Sequence, residues 1–477
     1  MKKINQYKLL VAFCILPCWA SCDYEEVNTN PYEVTDEEAN RDGVAVGGSI
    51  MSLARQVFPV GTPANKTDII NEYQTSFNLS ADVWSGYFGQ NNNWFSGSNH
   101  LTYYLQDAWT SSTYTSTYTK AYASWKKIKE NAEVMARMGV EETGMGNVGD
   151  KILKHHLVAD KTPGTEVITT TAWSGDRGLT LIEMGPFGVI GAITPCTNPS
   201  ETILCNTMGM LAGGNTVVFN PHPAAIKTSI YAINLLNEAS LESGGPDNIA
   251  VTVEKPTLET SNVMMKHKDI PLIAATGGPG VLSSGKRGIG AGAGNPPALV
   301  DETADIRKAA TDIVNGCTFD NNLPCIAEKE IVAVSSIVDE LMHYLVTEND
   351  CYLASKEEQD KLTEVVLAGG KLNRKCVGRD ARTLLSMIGV NAPANIRCIV
   401  FEGPKEHPLI TTELMMPILG VVRARDFDDA VEQAVWLEHG NRHSAHIHSK
   451  NIDNITKYAK AIDTAILVKN APSYAAL

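Results

Sequence analysis

Gly188-Val189-Ile190-Gly191-Ala192-Ile193-Thr194-Pro195-Cys196-Thr197-Asn198-Pro199-Ser200-Glu201 reads as a strand, a turn and the opening of a helix. The run from Val189 to Ile193 is apolar or small at every position, as a strand buried on both faces would be. Asn198 then offers a cap, Pro199 a first-turn residue and Glu201 the acidic side chain that a helix start favours. Working outward, the pattern repeats. Thr216-Val217-Val218-Phe219 is the next strand, closed by Pro221 and Pro223. The following helix carries Ile226, Ile230 and Ile233 at helical spacing and stops near Gly244-Gly245. Leu272-Ile273-Ala274-Ala275 is a third buried strand, running into Thr276-Gly277-Gly278-Pro279-Gly280. Repeated strand–turn–helix units predict an α/β architecture on a parallel sheet, with ligand at the strand ends.

The chain's 477 residues suffice for two or three domains. Its 54 Asp and Glu outnumber its 40 Lys and Arg, with no long basic run, which argues against a nucleic-acid platform. No apolar stretch reaches the ~18 residues of a membrane-spanning helix. Composition divides the chain: residues 73–125 hold 14 of its 32 aromatic residues, against 12 from residue 126 onward. Trp84, Trp94, Trp109 and Trp125 sit there among Asn91, Asn92, Asn93, Thr110, Ser111, Ser112 and Thr113. The remainder is rich in Ala, Gly, Val and Ile, the usage of α/β enzymes.

The N-terminus reads as an export signal over 1–22. Lys2, Lys3 and Lys8 precede an apolar run from Leu9 to Ile15, and Ala20-Ser21 precede Cys22. This resembles a bacterial lipoprotein leader, which implies a lipid anchor at Cys22. From Asp23-Tyr24-Glu25-Glu26-Val27-Asn28-Thr29-Asn30-Pro31-Tyr32 through the aromatic stretch, residues 23–130 resemble the leading fragment of SusD/RagB-type lipoproteins. The resemblance implies an α-helical, glycan-binding, outer-membrane element; rings stacked in helix packing are the alternative reading of its tryptophans. The cysteines oppose that address. Cys196, Cys205, Cys317, Cys325, Cys351, Cys376 and Cys398 are odd in number and lack framework or CxxC spacing, which fits a reducing compartment.

Two tempting motifs fail on their own terms. Gly280 to Gly285-Lys286 has P-loop spacing, but Arg287 stands where a hydroxyl should hold Mg²⁺. His439, His443, His446 and His448 crowd together without the Glu of H-E-x-x-H, and Gly440 interrupts the helix such a motif needs, so no metal site is expected.

Four blocks read together carry the second resemblance. They are Ile193-Thr194-Pro195-Cys196-Thr197-Asn198-Pro199, Thr216-Val217-Val218-Phe219-Asn220-Pro221-His222-Pro223, Thr318-Phe319-Asp320-Asn321-Asn322-Leu323-Pro324-Cys325 and Glu413-Leu414-Met415-Met416-Pro417. Over 131–477 the chain resembles CoA-acylating aldehyde dehydrogenases of the ethanolamine- and propanediol-utilisation type. The resemblance implies an aldehyde dehydrogenase fold: an NAD/CoA-binding Rossmann-like part over 131–294, incomplete at its start, and an α/β catalytic domain over 295–477. It also implies NAD as cofactor, coenzyme A as co-substrate, a short-chain aldehyde (acetaldehyde or propionaldehyde) as substrate, and a cytoplasmic homo-oligomer.

Residue by residue, the resemblance makes Cys325 the nucleophile, with Cys317 the internal competitor, and Asn198 the oxyanion donor. His443 matches a histidine of the acyl-transfer half-reaction. Glu413 matches a contact to the nicotinamide ribose, Gly277, Gly278 and Gly280 the pyrophosphate-side turn, and Asn220, Pro221 and His222 the adenosine-side contacts. Hydrolytic relatives carry a Glu base ahead of the cysteine, whereas counting back from Cys325 puts Ala291, within Gly290-Ala291-Gly292-Ala293-Gly294-Asn295-Pro296, at that place. Without a carboxylate to activate water, an acyl-enzyme should wait for a thiol.

The chain departs from that family at a junction near Lys126–Met135, at a shortened Gly280-Val281-Leu282-Ser283 step, and at an end near Leu477 where relatives continue into an oligomerisation strand. Two functions from different classes therefore stand: an acylating aldehyde dehydrogenase with a foreign leader, and a surface glycan-binding lipoprotein with an incidental tail. A hybrid made by recombination or mis-assembly accounts for the compartment conflict.

Overall fold

The structure, a computed structural model, describes residues 126–175, 178–276 and 287–477, which belong to a unit running from Ala123 to Leu477. The Cys22 leader, the aromatic stretch, Gly277, Gly278, Gly280 and the Gly285-Lys286 step lie outside the described residues.

Two helices open the described chain, α1 (Ala132–Thr143) and α2 (Val148–Lys161). The Asn147 side chain starts α2 by accepting the Asp150 N–H at 2.8 Å. An antiparallel hairpin follows, β1 (Thr171–Gly175) and β2 (Gly178–Ile182), exposed along its whole length. The predicted strand–turn–helix units then appear as β3 (Val189–Thr194), α3 (Pro199–Ala212), β4 (Thr216–Pro221) and α4 (Ile226–Glu242). They continue through β5 (Ala250–Thr252), α5 (Leu258–Lys266), β6 (Leu272–Thr276) and β7 (Arg287–Ala291). These strands form a parallel five-stranded sheet ordered β5-β4-β3-β6-β7. The order reverses between β3 and β6, so a crevice opens at their carboxyl ends, where the Thr197-Asn198 turn lies.

Met135 of α1 and Ala159 of α2 are buried in one cluster with Ala192, Ile203, Val217, Phe219 and Leu236. The segment 132–161 is thus part of the core under this sheet, not an appendage to it.

The second sheet begins at β8 (Pro297–Val300) and α6 (Ile306–Thr318), then β9 (Glu330–Val334), α7 (Val338–Glu348) and β10 (Cys351–Leu353). After helices α8 (Lys356–Val366) and α9 (Ala381–Met387) come β11 (Cys398–Glu402), the short α10 (Pro408–Thr411) and β12 (Ile418–Ala424). It closes with α11 (Phe427–Glu438), β13 (Ser444–His448), α12 (Ile452–Ile462) and β14 (Ile466–Lys469). All seven strands are parallel, ordered β10-β11-β12-β9-β8-β13-β14. Central β8, β9 and β13 are buried at every position, as helices on both faces require. Among the described residues no helix is long and apolar enough to cross a membrane.

Gly420, within β12, reports how closely α10 is seated. A Cβ there would collide with Ile410 and meet Phe401 Cζ at 3.1 Å, and both neighbours are fully buried. Gly420→Ala should therefore cost about 1–3 kcal/mol. Urea unfolding checks this: a lower midpoint at unchanged slope is expected, and an unchanged midpoint would show that the α10 contact yields freely.

Candidate active site

The nucleophile candidate sits at the end of an unusual turn. Asp320, Asn321 and Asn322 adopt successive left-handed conformations (φ 47°, 54° and 66°), a region that side chains other than those of Asn and Asp rarely tolerate. Each is tied down. Asn322 Nδ2 donates to Cys317 O (2.9 Å) and Glu328 O (3.0 Å), and Asn321 Nδ2 donates to Gly378 O (2.9 Å). The buried Lys329 ammonium caps the turn through Asn322 O (3.1 Å), Asn322 Oδ1 (2.5 Å) and Pro324 O (3.4 Å). This is the physical content of the Phe-Asp-Asn-Asn lead: it turns the chain sharply so that Cys325 emerges half-buried while Leu323 and Ile326 on either side are buried.

Cys317 is fully buried, with its sulfur 4.0 Å from Cys398 Sγ, whereas Cys325 remains partly accessible. Exposure separates the two candidates where spacing alone did not.

Around Cys325 the site is built from residues just ahead of several strands. Gly294 precedes β8, Cys325 precedes β9, Glu413 precedes β12 and His443 precedes β13. A Cβ on Gly294 would meet His443 Cγ at 3.0 Å and Cys325 O at 3.2 Å, so glycine lets imidazole and cysteine backbone approach. The Gly294 backbone N–H and Lys329 oppose the rise that burial imposes on Glu413. The second sheet thus presents its amino-terminal edge to the site, whereas the first presents the carboxyl-end turn holding Asn198. Of the two sheets, only the first brings a carboxyl-end turn to this set of candidate residues.

Burial sets the protonation states. It pushes the Cys325 thiol up; Lys329 opposes the shift and Glu413 adds to it. Glu413 is itself raised by burial. His443 is lowered by burial and by Lys329, so it is neutral near pH 7, with Nδ1 2.6 Å from Ser444 Oγ.

Asn198 occupies the N-cap position of α3, yet its side chain makes no cap bond. Its Oδ1 instead accepts from Lys154. Lys151 donates to Thr197 O (3.1 Å) and to Asp320 Oδ2 (3.0 Å), and Lys154 also reaches Asp320 Oδ2 and Glu201 Oε1 (3.1 Å). Asp320 completes its bonding by accepting the Asn147 N–H (2.9 Å) and donating its own to Asp150 (2.7 Å). The sequence reading missed Lys151, Lys154, Glu201 and Lys329 as site residues. Lys151 and Lys154 share a helix face three residues apart, a spacing that ordinarily marks a solvated stripe.

The remaining predicted positions are dispersed. Asn220 is buried at the end of β4, donating to Ser261 Oγ (2.6 Å) and accepting from Thr260 Oγ1 (2.7 Å), so both ends of its amide are engaged with α5. Pro221 ends β4, and His222 Nδ1 accepts the Ala224 N–H at 3.1 Å. Ala291 is exposed at the end of β7. His439 caps α11 in a left-handed conformation, while His446 is buried in β13 with Nε2 2.9 Å from Ile326 O. His448 is buried two residues further along the same strand, its Nδ1 4.0 Å from Asp312. Among the described residues no group of three or more His, Cys, Asp or Glu could hold a metal ion.

The family model described as the aldehyde dehydrogenase family matches residues 108–476, and that of the SusD and RagB outer membrane lipoproteins matches residues 26–160. The CoA-propanoylating propanal dehydrogenase of Salmonella typhimurium is 45% identical over 348 residues, 72% of this chain and 75% of that protein. The acetylating acetaldehyde dehydrogenase EutE of Escherichia coli is 44% identical over 360 residues, covering 73% and 77%. Among solved structures, a propionaldehyde dehydrogenase from the Clostridium phytofermentans fucose utilisation bacterial microcompartment superposes with a TM-score of 0.74 at 77% identity, covering 75% of this chain and 83% of that one. The Rhodopseudomonas palustris propionaldehyde dehydrogenase with bound propionyl-CoA gives 0.72 at 52% identity, covering 75% and 82%.

The electrostatics generate a direct check. Iodoacetamide alkylation of Cys325, followed by mass spectrometry, should rise with pH to a midpoint above the thiol's ordinary 9.0. Glu413→Gln removes a neighbouring negative charge and should lower that midpoint. A parent midpoint at or below the ordinary value, or one indifferent to Glu413→Gln, contradicts this arrangement.

Proposed function

The chain belongs to the aldehyde dehydrogenase family, and we propose that it oxidises a short-chain aldehyde, propionaldehyde or acetaldehyde, to the acyl-CoA with NAD through a thioester on Cys325. The observation that carries the proposal is the partly accessible Cys325 packed with Gly294, His443 and Glu413.

Cys325 reacts as its thiolate, the thiol proton having passed to solvent: Sγ adds to the aldehyde carbonyl carbon and the carbonyl π pair moves to oxygen, giving a tetrahedral hemithioacetal anion. Its oxyanion is met by Asn198 Nδ2 and the Cys325 backbone N–H. The nicotinamide, when bound, supplies the hydride acceptor that converts this adduct to a thioester. Glu413 suits the adjoining ribose, because its half-buried carboxylate has an acceptor to offer two hydroxyls. Asn220, Pro221 and His222 line the carboxyl end of β4, where the adenosine end of the cofactor would lie.

Acyl transfer then follows from a missing base and a neighbouring imidazole. Counting back from Cys325 puts Ala291 where hydrolytic relatives carry a Glu, so that base for activating water is missing. His443, kept neutral by burial and by Lys329, accepts the proton of the incoming coenzyme A thiol. That thiol attacks the acyl carbon and Cys325 leaves as thiolate. The overall balance is aldehyde, coenzyme A and NAD⁺ giving acyl-CoA, NADH and a proton. The relatives named for propanal and acetaldehyde, and the neighbour holding propionyl-CoA, support this substrate range.

The full chain should form NADH continuously from propionaldehyde only when coenzyme A is present, with at most one equivalent per Cys325 in its absence. Cys325→Ala should lower turnover by at least about 1000-fold. Sustained NADH formation without coenzyme A, or parent-like turnover in Cys325→Ala, would refute the assignment.

A further inference from the structure

We propose that Lys154 is a positioning residue for the oxyanion site: its ammonium dictates which way the Asn198 amide faces and joins that amide to the loop carrying Cys325. The proposal rests on the roles given above to Cys325 and Asn198.

Three contacts converge on Lys154 Nζ: Asn198 Oδ1, Asp320 Oδ2 and Glu201 Oε1, the last at 3.1 Å. An ammonium has three N–H donors and no acceptor; hydrogen bonds to Asn198 and Asp320 use two of them, and Glu201 stands by as an ion pair. It can meet only the oxygen of an amide. The Asn198 carbonyl is therefore turned into the buried network and its NH₂ is turned away. That NH₂ lies 3.5 Å from Thr197 Oγ1, beyond an ordinary N–H···O bond. The helix start makes no claim on the side chain either, since Asn198 forms no cap bond. A donor held by its own carbonyl and left without a good acceptor is what a developing alkoxide requires.

The other contact reaches the nucleophile. Asp320 is fully buried and opens the left-handed run five residues before Cys325. One nitrogen atom thus couples the two groups between which the carbonyl must fit, and freedom at either would loosen a geometry that chemistry needs within about 0.5 Å.

A purely structural role predicts something different. Lys151 and Lys154 face Glu201 and Asp320, two cations against two anions, with side chains 2%, 7%, 7% and 0% exposed. If Lys154 only balanced charge, any change preserving the balance would be harmless. Lys154→Met/Glu201→Gln keeps that balance, leaving Lys151 opposite Asp320, while it removes the contacts of Lys154 to Asn198, Asp320 and Glu201 together.

In the full chain this double variant should lose about 100-fold in kcat for CoA-dependent NADH formation, with KM for propionaldehyde shifted by less than about threefold. Asn198→Ala should cost about the same 100-fold in the parent and nothing further in the double variant. Parent-like kcat in the double variant, or an equal cost of Asn198→Ala in both backgrounds, overturns the proposal. Should the double variant fail to fold by thermal melting, Lys154→Gln decides the matter. Its amide fills the space but can donate or accept, so it does not fix the orientation, and the same kcat loss and the same non-additivity are expected. Failure of the underlying assignment would look different, because Asn198→Ala or Cys325→Ala in the parent would then leave turnover intact.

Discussion

Four charges buried together constrain this fold more than any other feature. Lys151 and Lys154 come from α2, Glu201 from the first turn of α3 and Asp320 from the loop before Cys325. Each alone would be too costly to desolvate; together they neutralise one another as close ion pairs. Removing one partner of such a set typically costs about 3–5 kcal/mol, because the others are left stranded. Lys154 is held raised and Glu201 lowered by each other and by their neighbours, against the opposing effect of burial, so both stay charged. The cluster can form only if a helix preceding the first sheet, a helix within it and a loop of the second sheet arrive at one point. The placement of Asn198 and of the loop carrying Cys325 inherits that requirement.

The same cluster bears on the chain's double ancestry. The two family models overlap across residues 108–160. Within that overlap, α1 and α2 contribute Met135 and Ala159 to the core under the five-stranded sheet, and α2 supplies both buried lysines. From Ala132 onward the chain is committed to the dehydrogenase fold by packing and by charge pairing. Gly146, at φ 76°, belongs to the same commitment, since a Cβ there would collide with the Asp320 carboxylate. The match to the lipoprotein model begins well ahead of this segment, at residue 26, and takes in the aromatic-rich residues 73–125.

Left-handed backbone at three consecutive positions is the second constraint, and it links directly to chemistry. Asn and Asp are the residues for which this conformation costs least, and their side chains find partners that hold it. Lys329 is the counterpart on the far side of the turn. It anchors Asn322 and Pro324 and places its positive charge near Cys325, Glu413 and His443, lowering the first two and helping to keep the third neutral. A residue that looks like an ordinary surface lysine in the sequence therefore bears on both the shape of the turn and the electrostatics around Cys325.

Strand periodicity and turn chemistry determined the α/β units from Val189 to Thr276, because buried parallel strands write themselves as short apolar runs closed by Gly, Pro and Asn. Cys325, Asn198, Glu413 and His443 stand out through the family resemblance of the blocks around them, not through periodicity or turn chemistry. What the sequence could not decide were matters of distance along the chain. That Lys151 and Lys154 turn inward to Asp320, some 170 residues away, that the second sheet offers its amino-terminal edge, and that Asn198 bonds Lys154 in preference to capping its helix all depend on contacts between remote segments. Charge at a helix surface and charge at a buried junction have the same local sequence. Only the packing that excludes water tells them apart.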